Sequence, residues 1–264
     1  MAFSKWLKLP ETKEINNIND VSTTELHGTI IHKKKFLKKI YLENYQQFIK
    51  SIGDEYTSKK IIELGSGGGF IKEIIPNAIT SDVIPLPNID MHFSALEMPF
   101  DDNSTDAFVM IDVLHHINDS EAFFTEALRC LKVGGKIVMI EPANTLWGGF
   151  IYRNFHHEPF NAKGGWGFES TGPMSSANGA IPWIIFTRDQ KLFEEKFPAF
   201  RINIKKHHTP FRYLISGGVS MRQLLPDFCY PLVKGFEFIL SPINRYVGMF
   251  MTVELEKKQN PNSN

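Results

Sequence analysis

Three groups of residues in this 264-residue chain have types and spacing suited to chemistry. The first is Glu63-Leu64-Gly65-Ser66-Gly67-Gly68-Gly69-Phe70, reached through the apolar run Ile61, Ile62, Leu64. Glycines serve where backbone must come close to a ligand or take positive φ. A helix starting just past such a turn would offer free N–H groups and a positive dipole end. In an open α/β fold this is the place for a nucleotide-like ligand, at the carboxyl end of the first strand. The second is Asp82, seventeen residues past Gly65, where an acid ending a second strand can accept hydrogen bonds from both hydroxyls of a ribose. The third is rich in histidine: Asp112 at the end of a fourth strand and His115-His116 just beyond it, then His156-His157-Glu158 in a long connection. His115 and His156 are the candidate proton acceptors. Adjacent histidines rarely reach one ion without further ligands, so no metal site is expected.

These residues need a framework to hold them. Apolar runs at 59–69, Ala78 to Val83, Ile89 to Phe93, Ala107 to Val113 and Lys136 to Ile140 read as five strands, the first including its glycine turn. Between them lie a short helix from Phe70 to Ile75, broken by Pro76-Asn77, and an amphipathic helix from Asn118 to Leu131. Asn118 and Glu121 fit a capping box there, and Gly134-Gly135 stops the helix. Alternating strands and helices over 59–142 predict a parallel sheet with right-handed crossovers. Upstream, residues 1–32 read as irregular. Lys33 to Ser51 has helical spacing through Leu37, Tyr41, Tyr45, Phe48 and Ile49, and fits packing on the sheet edge or capping the ligand site.

Downstream the pattern is looser. From Ala143 to Ile185 no element is evident. A loop of that length, with Trp147, Trp166, Trp183 and many glycines, suits a lid. Thr187 to Phe197 reads as a helix with a Thr187/Gln190 capping box, and Phe200 to Lys206 and Gly248 to Leu255 as strands. Between those strands, 207–247 mixes Arg212, Arg222, Lys234 and Arg245 with Phe211, Tyr213, Phe228, Tyr230, Phe236 and Phe238. Such a stretch fits a helical cap on a pocket, a dimer contact, or a membrane interface.

Glycine spacing separates two ligand classes. The dinucleotide pattern Gly-x-Gly-x-x-Gly needs a glycine where Phe70 stands, which disfavours a nicotinamide oxidoreductase. Gly65, Gly67 and Gly69 instead fit Gly-x-Gly-x-Gly, with Glu63 two residues before. On these residues the chain resembles the class I S-adenosylmethionine-dependent methyltransferases, type 11-like and of a bacterial branch. S-adenosylmethionine has a cationic amino-acid end and no pyrophosphate, so its site tolerates an acid. Two more segments carry the resemblance. One is Ser94-Ala95-Leu96-Glu97-Met98-Pro99-Phe100 with Asp106, which the family writes as Asp-Ala-x-x-Leu-Pro-Phe, a polar turn and Phe-Asp; the other is Leu128 to Pro142. The resemblance covers about 59–142.

It implies a Rossmann-like α/β fold: a mostly parallel seven-stranded sheet with an antiparallel edge hairpin and helices on both faces. It implies one domain over 1–264, with an N-terminal cap at 1–58, a cofactor core at 59–142 and an acceptor-side half at 143–264. S-adenosylmethionine is the implied cofactor, held by Glu63, Gly65, Ser66, Gly67, Gly69, Asp82, Val83, Ser94, Ala95 and Asp112. Ser94 stands where the family has an aspartate near the adenine, so that contact passes to its hydroxyl or to the Ala95 backbone. The expected activity is methyl transfer to a small-molecule or lipid-like acceptor. The rival is a non-catalytic module docking a membrane or protein through 207–247.

Bulk properties narrow the partners. Formal net charge is zero, unlike the basic footprint of a nucleic-acid binder. Two cysteines, Cys130 and Cys229, lack metal spacing and indicate no disulfide framework. The N-terminus lacks a secretory pattern, and no uncharged apolar run is long enough to cross a membrane. A cytoplasmic protein is expected, with contact to the inner membrane face as one outcome of the 207–247 stretch.

Overall fold

A computed structural model of the chain describes residues 7–12, 15 and 17–259. Alternation along its strands sorts the core into two layers. Ile61 of β1 (Ile61–Glu63), Ala107 and Val109 of β4 (Thr105–Ile111), and Val138 and Ile140 of β5 (Leu131–Pro142) pack on one face. Their neighbours Ile62, Phe108, Met110, Ile137 and Met139 pack on the other. Successive side chains of a strand point to opposite faces, and a sheet covered on both sides needs apolar residues at nearly every position.

With β2 (Ile79–Asp82), β3 (Met91–His92), β6 (Phe200–His208) and β7 (Phe250–Lys257), the sheet has seven strands in the order β3-β2-β1-β4-β5-β7-β6. Strands β1 to β5 pair in parallel, and β7 runs antiparallel to both β5 and β6. The fold expected from the sequence is the fold observed. The strand order reverses between β1 and β4, which opens a crevice at their carboxyl ends.

Among the described residues the α-helices of five residues or more are α1 (Val21–Lys33), α2 (Lys35–Ile52), α3 (Ser120–Cys130), α4 (Leu146–Phe155), α5 (Gln190–Lys196), α6 (Arg212–Ser216) and α7 (Tyr230–Ile239). Ile31 of α1, Leu37, Tyr45 and Phe48 of α2, and Ile151 and Tyr152 of α4 cover the first face. Phe123 and Phe124 of α3, Phe193 of α5 and the apolar turn Ile181–Phe186 cover the second. The long helix expected on the sheet edge thus lies on a sheet face as α2.

Several local expectations fail for identifiable reasons. The stretch read as irregular holds α1, whose polar surface hides its period. The helix expected after the glycine run is a single 3-10 turn, Ile71–Glu73, so no helix dipole points at the glycines. Helix α3 is capped by Asp119, which accepts from Ala122 N–H at 3.0 Å; the Asn118 carbonyl instead accepts from Phe168 N–H at 3.1 Å in the crossing loop. Helix α5 starts after Asp189, not Thr187, and Asp189 makes no cap bond because its carboxylate holds Arg188 and the Trp166 indole. The long connection after β5 contains α4, capped by Thr145 accepting from Gly148 N–H at 2.9 Å.

The 207–247 stretch is anchored to α2 by a buried polar knot. Arg212 binds Glu237 and Glu43, and donates to the Tyr230 hydroxyl at 2.9 Å. Tyr230 donates on to Glu43 at 2.8 Å, and Glu237 also accepts from the N–H groups of Phe211 and Arg212 at 2.8 and 2.7 Å. Phe36 and Tyr230 close an apolar seam beside the knot.

Candidate functional site

The carboxyl ends of β1, β2, β4 and β5 open into a cavity of about 480 Å³, within the roughly 300–1,000 Å³ of small-molecule sites. All of the expected cofactor residues lie along its wall: Glu63, Gly65, Ser66, Gly67, Gly69, Asp82, Val83, Ser94, Ala95 and Asp112. Both expected proton acceptors, His115 and His156, line it as well.

Backbone geometry shapes the glycine turn. Gly65 and Gly67 have φ of 62° and 50°, the left-handed region where a side chain is strained. Helix α1 lies directly across the turn. A Cβ on Gly68 would sit 2.3 Å from the Gly28 backbone nitrogen, whereas one on Gly67 would meet nothing nearer than Thr24 Cγ2 at 3.7 Å. The turn is roofed at Gly68 and open at Gly67.

The turn is also tied to β2. The Ser66 hydroxyl accepts from Ser81 N–H at 3.1 Å, and Ser66 N–H donates to the Ser81 carbonyl at 2.8 Å, so this side chain serves the scaffold. Asp82 accepts from Gly67 N–H through one oxygen and from Ile84 N–H through the other, both at 2.9 Å. Each oxygen keeps a lone pair for a ligand. Val83 stands at the exposed rim, and Ser94 Oγ accepts from Leu96 N–H at 3.2 Å.

Glu63 carries the test of cofactor fit. It is 4% exposed, and its Oε2 has no hydrogen-bond partner. Burial, reinforced by the nearby Asp82 charge, pushes its carboxyl up to about 8. An orphaned acid beside an open glycine cradle suits the cationic amino-acid end of S-adenosylmethionine. Asp82 suits its ribose. These residues would hold the group.

The opposite wall is a cluster of imidazoles and carboxylates. Glu141, fully buried at the end of β5, accepts from Val113 and Leu114 N–H at 2.9 and 2.7 Å through Oε1. Its Oε2 lies 2.7 Å from His115 Nδ1. His115 Nε2 lies 3.4 Å from Glu158 Oε2, and His116 Nε2 lies 3.5 Å from Glu158 Oε1. His116 Nδ1 lies 3.1 Å from the Ser176 carbonyl oxygen. Burial opposes charge on His115, but Glu141 and Glu158 hold its imidazole well above the usual range; burial alone would raise Glu158, and the His115 and His116 contacts lower it instead. Asp112, in the left-handed region at φ 56°, is pushed up to about 7 by burial.

His156 behaves differently. Burial lowers it to about 4, and its Nδ1 accepts from Glu158 N–H at 3.4 Å, which turns the lone pair toward its own backbone. The remaining nitrogen is then a donor.

Several residues in or behind the wall escape sequence reasoning. Glu141 carries a signal, a lone acid ending an apolar parallel strand. Glu158 stands out in the sequence only as a neighbour of histidines. His27 of α1, Tyr41 of α2, Tyr152 of α4, Tyr213 of α6 and Phe250 of β7 also line the cavity. They carry no signal, because tyrosines and phenylalanines at helical or strand spacing read as core.

Comparison with known proteins agrees with this fold. Residues 62–139 match the family model described as a methyltransferase domain. No curated protein matches the sequence. A solved structure from Thermotoga maritima, described as a SAM-dependent methyltransferase and possible histamine N-methyltransferase, aligns at 15% identity and a TM-score of 0.52, over 87% of this chain and 99% of that one. Phosphoethanolamine N-methyltransferase 2 of Haemonchus contortus, solved in complex with S-adenosyl-L-methionine, aligns at 16% identity and a TM-score of 0.50, over 92% of this chain and 59% of that one. At such identities the likeness is one of fold. The matched segment spans β1 to β5, the glycine turn, Asp82 and the His115-His116 turn, and on it the chain carries a class I S-adenosylmethionine-dependent methyltransferase domain, with S-adenosylmethionine as its cofactor.

Proposed function

We propose that this protein methylates a nucleophilic atom of a small, lipid-like or aromatic acceptor bound against the histidine-lined wall. One observation carries the reading. A single cavity is lined on one side by the glycine turn and Asp82, and on the other by Tyr41, Tyr152, Tyr213, Phe250 and the polar cluster. Aromatic walls favour an apolar body, and a small convergent polar group favours one polar atom on it. S-adenosylmethionine, when bound, supplies a methyl already activated on a positively charged sulfur. The work left to the chain is alignment and exclusion of water. Helix α1 roofs the glycine turn, and Tyr213 with Val219 brings the 207–247 stretch to the opposite rim. Zero net charge favours a small molecule over a nucleic acid.

The test begins with calorimetric titration by S-adenosylhomocysteine, with Asp82→Asn as control, followed by hydrophobic phenols, amines and hydroxylated lipids as acceptors. Release of S-adenosylhomocysteine with an apolar acceptor is expected. Turnover confined to highly charged acceptors would overturn the acceptor class.

A second reading, docking to a membrane through 207–247, is favoured by the outer surface of that stretch. Phe228, Leu232, Phe238 and Ile239 are each more than 70% exposed. From Phe228 to Val247 the exposed charges are the cations Arg245 and Lys234, the latter paired with Glu43 at 2.8 Å, because Glu237 is buried on Arg212. Rings at 5.9–6.1 Å, Phe236 to Phe211 to Trp147 to Phe150, continue the surface onto α4, where Leu146 and Phe155 are also exposed. An apolar face flecked with cations suits an anionic bilayer. Among the described residues no helix is long and apolar enough to cross a membrane. Sedimentation with phosphatidylglycerol vesicles tests this contact. Equal recovery with and without vesicles would reject it.

A further inference from the structure

The His115–His116–Glu158 cluster has a lone-pair problem. The Ser176 carbonyl can only accept, so His116 Nδ1 carries the proton. Glu141 already accepts two backbone N–H groups on Oε1, and its Oε2 faces His115 Nδ1 at 2.7 Å, which makes that nitrogen a donor too. In the neutral imidazoles both Nε2 atoms are then acceptors. Both are aimed at an acceptor, the Glu158 carboxylate, from 3.4 and 3.5 Å. Three acceptors converging in a largely dry wall require a cation among them, either a second proton on an imidazole or a metal ion.

The spacing distinguishes a proton from a metal. A charge-assisted N–H···O bond closes to roughly 2.7–2.9 Å, so these contacts are too long for a bridging proton at its preferred distance. Ligand atoms about 2.1 Å from a tetrahedral zinc lie about 3.4 Å from one another, close to the 3.4 and 3.5 Å at which the two Nε2 atoms face the two Glu158 oxygens. One ligand atom from each of the three residues falls within 4.8 Å of the others. Each Nδ1 is held by a carboxylate or a carbonyl, the arrangement that orients metal-bound imidazoles.

We infer that His115 Nε2, His116 Nε2 and one Glu158 oxygen form a binding site for a divalent metal of the zinc type, with its fourth position open to the cavity. Two imidazoles and one carboxylate are a borderline donor set of the kind zinc takes in open sites. Ligands come from two separate places in the chain, the turn after β4 and the segment after α4, so the folded chain assembles the site. Glu141 is a positioning residue that fixes the His115 ring. Resting on the proposed function, the open position takes a hydroxyl or thiol of the acceptor, lowers its pKa and lets its proton pass to water.

Full-length protein stripped with chelator is titrated with Zn²⁺ against a chromophoric competitor, and with Co²⁺ followed by visible absorption. One Zn²⁺ per chain at submicromolar Kd is expected, with the intense bands of tetrahedral Co²⁺. Glu158→Gln and His116→Ala should each weaken binding by at least about tenfold, with thermal midpoints checked to show that each folds. Glu141→Gln should also weaken it while keeping the tetrahedral spectrum. Absence of stoichiometric Zn²⁺, affinity unchanged in both ligand variants, or a pale six-coordinate Co²⁺ spectrum would overturn the site. S-adenosylhomocysteine titration of the same samples separates this from the methyltransferase reading. Cofactor binding without Zn²⁺ rejects the metal alone, whereas Zn²⁺ binding without turnover of any apolar acceptor upholds the metal and counts against the acceptor.

Discussion

Gly65, Gly67, Asp82 and Ala95, which line the cofactor side of the cavity, come from one short run of chain joining β1, β2 and β3. The facing wall takes His115 from a turn after β4, Glu158 from beyond α4, Tyr213 from α6 and Phe250 from β7, with Glu141 of β5 buried behind His115. The first side works through backbone: positive-φ glycines, N–H groups tied to Asp82 and a helix laid across the turn. The second works through side chains that meet only because the sheet brings distant segments together. A cofactor shared by many enzymes can be held by a compact local device. An acceptor particular to one enzyme needs a wall whose parts can vary independently.

Four perturbations test that contrast, taken from the largest effect on cofactor binding to the smallest. Gly68→Val should reduce S-adenosylhomocysteine affinity at least about a hundredfold and lower the thermal midpoint, because its side chain must push α1 off the turn at Gly28; overpacking of this kind costs about 1–3 kcal/mol. Calorimetry and a melting curve on the same sample check both. Asp82→Asn should weaken binding about tenfold, through loss of a charged acceptor that also ties down Gly67. Unchanged affinity would remove the ribose assignment.

Glu63 gives a subtler signature. Its raised carboxyl is largely protonated at neutral pH in the free protein, and a cation beside it favours the ionised form. Cofactor binding at pH 7 should therefore release up to about one proton, read as a dependence of the calorimetric heat on buffer ionisation enthalpy. Release should vanish above pH 9 and in Glu63→Gln. Linkage has a second consequence: the folded state holds this proton where the unfolded chain does not, so Glu63 costs stability increasingly as pH rises from its ordinary value toward 8. Glu63→Gln should flatten that decline. Least affected should be the double substitution Phe228→Ser, Phe238→Ser on the outer surface. Cofactor affinity should stay within twofold and stability within about 0.5 kcal/mol, while recovery with phosphatidylglycerol vesicles falls.

Much of the first side is legible in the amino-acid sequence. Glu63, Gly65, Gly67 and Asp82 advertise themselves because a strand-to-glycine transition is local and its spacing is tight. The five parallel strands are legible for the same reason: runs such as Ile137 to Ile140 are apolar at every position and punctuated, here by Gly134-Gly135 before and Pro142 after. Helix α1 is not, since its buried residues include Thr23, Thr24 and Gly28, small groups suited to close approach to the glycine turn. Nor is the cap of α3, because Asn118 and Asp119 are equally good caps in isolation and a distant loop decides which carbonyl and carboxylate are free.

The sequence by itself determined the fold class, the cofactor and the strand ends at which the cavity opens. These follow from hydrophobic periodicity and from backbone conformations that few residues besides glycine adopt. Tertiary structure decided what the polar side chains do. Two His pairs far apart in the chain converge on one carboxylate, Glu141 turns His115 toward it, and Arg212 buries Glu237 so that the outer face of α7 is left apolar. The hydrogen-bonding partners of a buried charge are set by which segments pack together, and no local run of residues encodes that.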